Sequence, residues 1–481
     1  MWSRSTNASD DLVYGLTTDI DQAGNIIIGG HFSGYSVTFG NTTLNNSNGY
    51  TYGKMFVVKY DNNGNLLWAK TPSISSYSCS TLGTVTDKNN NIYITGHFQD
   101  NTFTFSGMSL SNANPGIQDV FLYKLDSNGN SLWAKMLGGT SHDVGTAISL
   151  DKNSNVYIAG NFKSSVILSG SNLIMNSNNN DTKDIFLAKF DTNGNYLWSK
   201  SFGGNSDDEA TSLTNDQSGN IYLSGNYKST SFNIGSNNFA KSSNTNTCLY
   251  LTKLDSLGNI KWAKSTTTNT SNSSINGIAS DNYGQIYSIG NFDGSTLELA
   301  NSTLQNSANG LGEAFMTKYD SLGNVLYAKS FIGFGNDFGK TIDKDIMGNI
   351  FLSGHFAGNY ILTDNNFTSN NYNGTNDIYI MRFFEQNPAL GITTGIMSQK
   401  HDVRLFPNPF KNEFEIFADI ESFENLQVNL FSSTGAKVNA SYQVFNNKIR
   451  VQTTNLNAGP YILKINYNGE LIASKVIISA N

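Results

Sequence analysis

The chain has 481 residues, and its 30 Lys and Arg against 37 Asp and Glu give a net charge of −7, with only 14% of residues charged. An ordinary soluble domain is roughly a quarter charged; here 68 Asn and 45 Gly, beside abundant Ser and Thr, supply the polarity instead. The acidic balance, with no basic run, excludes nucleic acid and anionic membrane as partners, and no apolar stretch reaches the about 18 residues of a membrane-spanning helix.

In chain order, Met1 to Asp11 have neither a charged n-region nor an apolar h-region, so no signal peptide is expected in that stretch. A segment Asp-x-x-Gly-Asn-x-Leu-Trp-Ala-Lys then recurs with small variations. Its tryptophan stands at Trp68, Trp133, Trp198 and Trp262, with Tyr327 in its place once, and Trp2 in Trp-Ser-Arg-Ser matches Trp198-Ser-Lys-Ser. The intervals are 66, 65, 65, 64 and 65 residues. A second marker, Gly-His/Asn-Phe/Tyr, runs in phase with the first, with glycines at Gly30, Gly96, Gly160, Gly225, Gly290 and Gly354. Two markers at one period establish an internal repeat.

Each unit reads as four short strands, lettered A to D. In the third unit these are Gly145–Leu150, Val156–Phe162, Ile185–Phe190 and Tyr196–Lys200, rich in β-branched and aromatic residues. The A–B turn is Asp151-Lys-Asn-Ser-Asn155 and the C–D turn Asp191-Thr-Asn-Gly-Asn195; Asp bonds forward to turn amides, and Gly or Asn accepts the left-handed conformation a tight turn needs. Six such units predict an all-β, six-bladed β-propeller over residues 1–384, because a lone unit cannot bury both faces of its sheet. The last unit stops after strand C at Phe383, so residues 1–5 are expected to supply its D strand and close the ring. These residues resemble the SBBP-type β-propeller repeat of bacterial secreted proteins, a family usually described as seven-bladed.

Near residue 385 the composition changes: four of six prolines and six of nine glutamates lie from there on. Residues 385–402 read as a linker, and 403–481 alternate like a small β-sandwich, with strands at Glu413–Phe417, Leu426–Phe431, Lys448–Gln452, Tyr461–Ile465 and Ala473–Ile478. Within this tail, Phe406-Pro407-Asn408-Pro409-Phe410, Val428-Asn-Leu-Phe with Ser-Thr-Gly435, Leu456-Asn-Ala-Gly459-Pro-Tyr461 and Lys475-Val-Ile occur in that order. The tail is similar to the type A C-terminal sorting domain of the type IX secretion system. The resemblance implies recognition by the secretion machinery, passage through the outer membrane of a Gram-negative bacterium, removal of the tail, and release or surface attachment of the cargo. It also assigns sorting-signal roles to Pro407, Asn408, Pro409, Phe410, Gly435, Gly459, Tyr461 and Lys475.

Chemistry-bearing residues are sparse. His31, His97 and His355 share one repeat position with Asn161, Asn226 and Asn291; a ring of ligands is one reading, and satisfaction of backbone groups at a strand end is the favoured one. No metal is expected, because equivalent positions in a ring rarely converge on one point. The Asp-x-Asn-Gly-Asn segments resemble calcium loops but lack the acidic twelfth position, so they read as turns. Asp119, Asp184, Glu313 and Asp377 share the position before strand C and read as structural. Cys79 and Cys248 occupy unlike positions and are expected to be free thiols. No nucleophile elbow, phosphate loop, His-Glu-x-x-His or Cys-x-x-Cys is present.

A ligand is expected on the face bearing the B–C and D–A connections, which are long and varied where the turns opposite are short. The B–C connections read as hairpins, at Val37–Leu44, Phe103–Leu110 and Val166–Leu173. Irregular acids near the start of strand A, namely Asp143, Asp208, Glu209 and Asp337, are the candidate ligand-binding residues on that face. The expectation is a secreted or cell-surface, monomeric, non-enzymatic binding or adhesion module for polysaccharide or a surface protein, needing no cofactor. A structural surface-layer component is the alternative, and a polysaccharide-degrading enzyme the least favoured reading, since paired carboxylates facing a cleft are hard to find among so few acids.

Overall fold

The computed structural model describes most of residues 12–383 and 403–479; the stretches outside it include 1–11, 169–173, 177–181, 267–271, 345–348, 369–376, 384–402, 407–411, 419–424 and 433–436. Two compact units are present, Met1–Glu385 and Gln386–Asn481. The described residues form strands and turns and no helix, every strand pairing being antiparallel.

In the first unit, strands A to D recur as sequence-consecutive sheets. The third repeat pairs Val144–Leu150, Val156–Phe162, Asp184–Phe190 and Tyr196–Phe202 in that order. Repeats one to five each have all four strands, and the sixth has Phe338–Lys344, Ile350–Phe356 and Asp377–Phe383. The proposed D strand of the sixth, residues 1–5, lies outside the described residues. Between strands B and C each repeat inserts a two-stranded hairpin, such as Thr102–Phe105 with Met108–Ser111. In the third repeat its second strand is Ile174–Asn176, beginning just past the expected limit at Leu173.

The marker glycine has a steric cause. A β-carbon at Gly30, Gly96, Gly160, Gly225, Gly290 or Gly354 would overlap the carbonyl oxygen of the strand A residue beside it, Tyr14, Ser80, Val144, Glu209, Ser274 and Phe338 in turn. Strands A and B can approach that closely only where one has no side chain. Strand A also carries a β-bulge in every repeat, opposite this glycine. Bulge residues reach the next repeat's strand A: Thr146 Oγ1 donates to Ala210 O at 2.8 Å and Asn276 Nδ2 to Gly339 O at 2.7 Å. Thr211 Oγ1 bonds Ile275 O in the same way.

The repeated tryptophan and lysine join units forward along the chain. Trp68, Trp133, Trp198 and Trp262 donate Nε1 to the turn carbonyls of Ser127, Thr192, Ser256 and Ser321 in the next repeat, at 3.1–3.2 Å. The strand C lysines Lys59, Lys124, Lys189 and Lys253 donate to the same four carbonyls at 3.0–3.2 Å. The turn Asp is held by its own turn: Asp191 accepts the N–H groups of Asn193 and Asn195 and the Asn195 side chain, all at 2.8 Å.

Apolar cores span consecutive repeats. Tyr157, Ile185 and Leu187 of the third pack with Ile221, Leu223 and Tyr250 of the fourth, and like clusters join the other neighbours. The first repeat has a cluster of its own, with Phe32, Phe56 and Val58. On the last strand C, Ile378 and Ile380 are 82% and 77% exposed. Asp19 in the first strand A lies near enough to Asp343 in the last for the two charges to repel.

The C-terminal unit has two four-stranded sheets over one core of Phe414, Ile416, Leu430, Ile449, Val451, Leu463 and Ile465. The five strands expected from the sequence are present, joined by Val403–Phe406, Lys437–Val438 and Ala440–Phe445. The added strands escape notice because they are short or, at Ala440–Phe445, exposed along most of their length, with no alternation to read.

Candidate functional site

The D–A loops and the starts of strands A and C lie at one end of each sheet, opposite the stereotyped turns. The B–C hairpins leave from that end and run along strand D, so that the Ser131 N–H at the start of strand D donates to Ser106 O at a hairpin tip, at 3.2 Å. Hairpins clasp the preceding repeat: Ser165–Leu168 pairs with Leu137–Gly139, Tyr360 and Ile361 pair with Ile332–Gly333, Thr104 O accepts the Ser73 N–H at 3.1 Å, and Asn233 bridges to Gly203. Beside that last contact lies a groove of about 490 Å³, lined by Lys200, Ser201, Asn233, Ser236 and Asn259 with apolar Phe202 and Ile260. Its lining offers neutral hydrogen-bonding groups and one cation.

The acids picked from the sequence are placed differently from one another. Glu209 is partly exposed and ion-paired with Lys183 at 2.6 Å. Asp143, Asp208 and Asp337 have no exposed surface at all, and thus sit beneath the loop face rather than on it. The loops above seal them: the N–H groups of Asp143, Asp208 and Asp337 donate to the carbonyls of Gln118, Lys183 and Gly312 just before strand C of the preceding repeat, at 2.7–2.8 Å. That register sets each beside a second buried acid, Asp119, Asp184 and Glu313 respectively.

The carboxyl environments follow from this burial. Asp143 Oδ1 accepts the Lys163 N–H at 3.2 Å; burial, with the charge of Asp119 next, pushes its carboxyl up to about 9. Asp119 rises to about 7 by burial, against a bond from the Gly139 N–H. Asp208 accepts Ser229 Oγ at 2.7 Å and the N–H groups of Lys228 and Ser229 at 3.1 Å, yet burial still raises it to about 7. Asp337 accepts the Ala357 N–H at 3.0 Å and is likewise raised by burial to about 7. Asp119 Oδ1, Asp143 Oδ2 and Asp337 Oδ2 are buried with no hydrogen-bond partner. The pairing was missed in the sequence because the two acids of a junction lie about 24 residues apart, in different repeats.

The shared His/Asn position faces the next repeat. His31 Nδ1 lies 3.0 Å from Ser80 Oγ, Asn161 Oδ1 accepts the Ala210 N–H at 2.8 Å, and Asn226 Nδ2 donates to Ser274 Oγ at 3.3 Å. Burial holds His97 down at about 4, with His31 and His142 adding to the shift. Among the described residues no group of three or more His, Cys, Asp or Glu is placed to hold a metal ion. Cys79 and Cys248 are buried and not disulfide-bonded. In the tail, Tyr461 packs in the core, Lys475 pairs with Leu463 and Gly459 with Ser479; Pro407, Asn408, Pro409, Phe410 and Gly435 lie outside the described residues.

Residues 404–479 match the secretion system C-terminal sorting domain. The chain is 32% identical over 114 residues to the regulatory protein FlaEY of Caulobacter vibrioides, covering 24% of this chain and 12% of that one. Over 366 residues it is 25% identical to an uncharacterized WD repeat-containing protein of Acanthamoeba polyphaga mimivirus, covering 61% of this chain and 25% of that one. It therefore spans a quarter or less of the length of these relatives. Among solved structures it is similar to a protein of unknown function from Dyadobacter fermentans, at TM-score 0.39 and 9% identity over 78% of this chain and 98% of that one. It is also similar to a fungal alcohol oxidase of the AA5 family in complex with copper, at TM-score 0.32 and 11% identity over 98% and 99%. Likeness at that level carries no argument about activity. The sorting domain supports export through type IX secretion and points to a secreted or cell-surface protein.

Proposed function

We propose that this chain is a non-enzymatic, monomeric binding module, delivered to the cell surface or medium by its sorting tail, that holds a polysaccharide or surface protein on its hairpin face. The matched sorting domain carries the address. The hairpins, repeated in every unit along the outer edge of the sheet, carry the binding part of the reading. Neutral Asn and Ser side chains in the groove beside Gly203 suit hydroxyl-rich ligands.

In this reading the six repeats form a six-bladed propeller of the SBBP kind, with strand A innermost and residues 1–5 completing the last sheet. Closure would cover the exposed Ile378 and Ile380 of the last strand C, and Leu12, Leu16 and Ile20 of the first strand A, which are exposed as well. Polysaccharide pull-down and glycan-array binding by the full chain test the function. Binding lost on substitution of Ser201, Asn233 and Ser236, and kept on substitution of the exposed turn residue Leu322 of another repeat, is the expected result. Uniform failure to bind glycans and surface proteins would leave a structural surface component instead.

A further inference from the structure

Junctions between consecutive repeats are of two kinds. At the second-to-third, third-to-fourth and fifth-to-sixth junctions, the start of strand C and the start of the next strand A are both acidic: Asp119 with Asp143, Asp184 with Asp208, Glu313 with Asp337. At the other two, neither position is acidic: Lys54 with Cys79, and Cys248 with Ser273. At the acidic junctions the next repeat's hairpin clasps the end of the preceding D strand, and at the first-to-second junction the Ser73 N–H donates to Thr104 O of the hairpin in the same way. In two of the acidic junctions a β-carbon on the clasped strand, at Gly138 or Gly203, would overlap the carboxyl of Asp119 or Asp184. The main chain is thus laid directly over the acids, shutting out water.

Two ionised carboxylates cannot share such a site without a neutralising partner. No ammonium or guanidinium is ion-paired with Asp119, Asp143, Asp208 or Asp337 among the described residues. At the second-to-third junction the donors are main-chain N–H groups. The Gly139 N–H faces both Asp119 and Asp143, the Lys163 N–H takes Asp143 Oδ1, and one oxygen of each acid is left buried with no partner. N–H donors suit carboxyl oxygens and repel a cation, so the missing partner is a hydrogen.

We propose that Asp119 and Asp143 form a carboxylic acid–carboxylate pair sharing one proton, so that this junction is tight when the proton is held and weakens when it leaves. Charged and titratable groups facing the pairs leave this intact. Beside the first pair stands His142, whose Nδ1 accepts the Gln118 N–H at 3.1 Å. Around Asp208 lie Tyr227, Tyr250, Lys241 and Lys228, with the Lys183–Glu209 ion pair and Asp207, which accepts the Lys183 N–H. Near Asp337 are Lys340 and His355 on the adjoining strands.

The sign is fixed by linkage. These carboxyls sit above their unfolded value in the folded chain, so their contribution is complete below about pH 4 and is lost as the pH rises through about 7 to 9. Each proton bound only by the folded state changes the folding equilibrium about tenfold per pH unit in that window. The experiment is equilibrium urea unfolding of the full chain from about pH 5 to pH 9, for wild type, Asp143→Asn and Asp119→Asn. Wild type should weaken steadily as pH rises, and each variant should lose about a tenfold step per unit of that dependence. Infrared spectra of the wild-type chain supply a measurement that needs no variant: a protonated-carboxyl C=O band present at neutral pH should vanish by about pH 10. Absence of that band at neutral pH, or a variant with the wild-type pH slope, overturns the proposal. So does stabilisation by millimolar calcium that chelator reverses and Asp143→Asn abolishes, which would make the pair a cation site.

Discussion

The carbonyl of Ser256 accepts two hydrogen bonds from the preceding repeat, Lys189 Nζ at 3.2 Å and Trp198 Nε1 at 3.2 Å. Lys189 is buried, lies 3.6 Å from Asp151 Oδ2 and stands over the Tyr157 ring at 4.8 Å. In Lys189→Met the stem still packs, Ser256 keeps its bond from Trp198, and Asp151 keeps its donors Asn153, Asn155 and Tyr157. The loss is one hydrogen bond from a charged group, about 1.5–3 kcal/mol, and the broken ion pair with Asp151 and the lost contact over the Tyr157 ring add to it. Trp198→Phe removes one neutral hydrogen bond, about 0.5–1.5 kcal/mol. The double variant leaves the carbonyl without either donor, adding about 1 kcal/mol or more beyond the sum. Urea unfolding of the full chain measures all four corners of the cycle, provided the slope with denaturant is unchanged. Additivity within about 0.5 kcal/mol would refute the shared-acceptor reasoning and mean that water replaces the missing donors.

Gly160→Ala forces a β-carbon onto the Val144 carbonyl and should cost about 3 kcal/mol or more in unfolding assays. Cys79 and Cys248, buried as thiols, should resist a thiol reagent in the native chain and yield two equivalents once unfolded. The turn carboxylates Asp126, Asp191, Asp255 and Asp320 lie below their ordinary range, held there by side-chain and backbone hydrogen bonds against the opposing effect of burial; the stability they supply above about pH 4 is lost as the pH falls through their lowered values. Melting temperature followed from about pH 2 to pH 5 should therefore drop towards the acid end. If the ends of the array meet, Ile378→Asp buries a charge and should lower stability by about 2 kcal/mol or more; an unchanged midpoint would show Ile378 still in water.

The period, the strands and the turns were legible because each rests on a local rule written six times: glycine where strands A and B nearly touch, Asp and Asn at the turns. The tail was legible from its motif order. The depth of a side chain was not. Asp143 and Glu209 look alike as irregular acids before a strand, yet Asp143 is sealed under Gly139 and the Ser165–Leu168 hairpin while Glu209 reaches Lys183 near solvent. Which acids pair is decided by contacts between different repeats, and no spacing within one repeat encodes them.

The tryptophan and lysine bonds of the first four repeats all point one way, from a repeat to the turn of its successor. A growing chain therefore presents, at every moment of synthesis, one newest repeat whose buried ammonium still awaits its acceptor, while all earlier repeats are already latched. Completion spreads from the amino end like a ratchet, and stopping the chain after any internal repeat leaves that last latch open. A single repeat cut from the array has donors reaching out and nothing to receive them, so the latch exists only where two repeats meet.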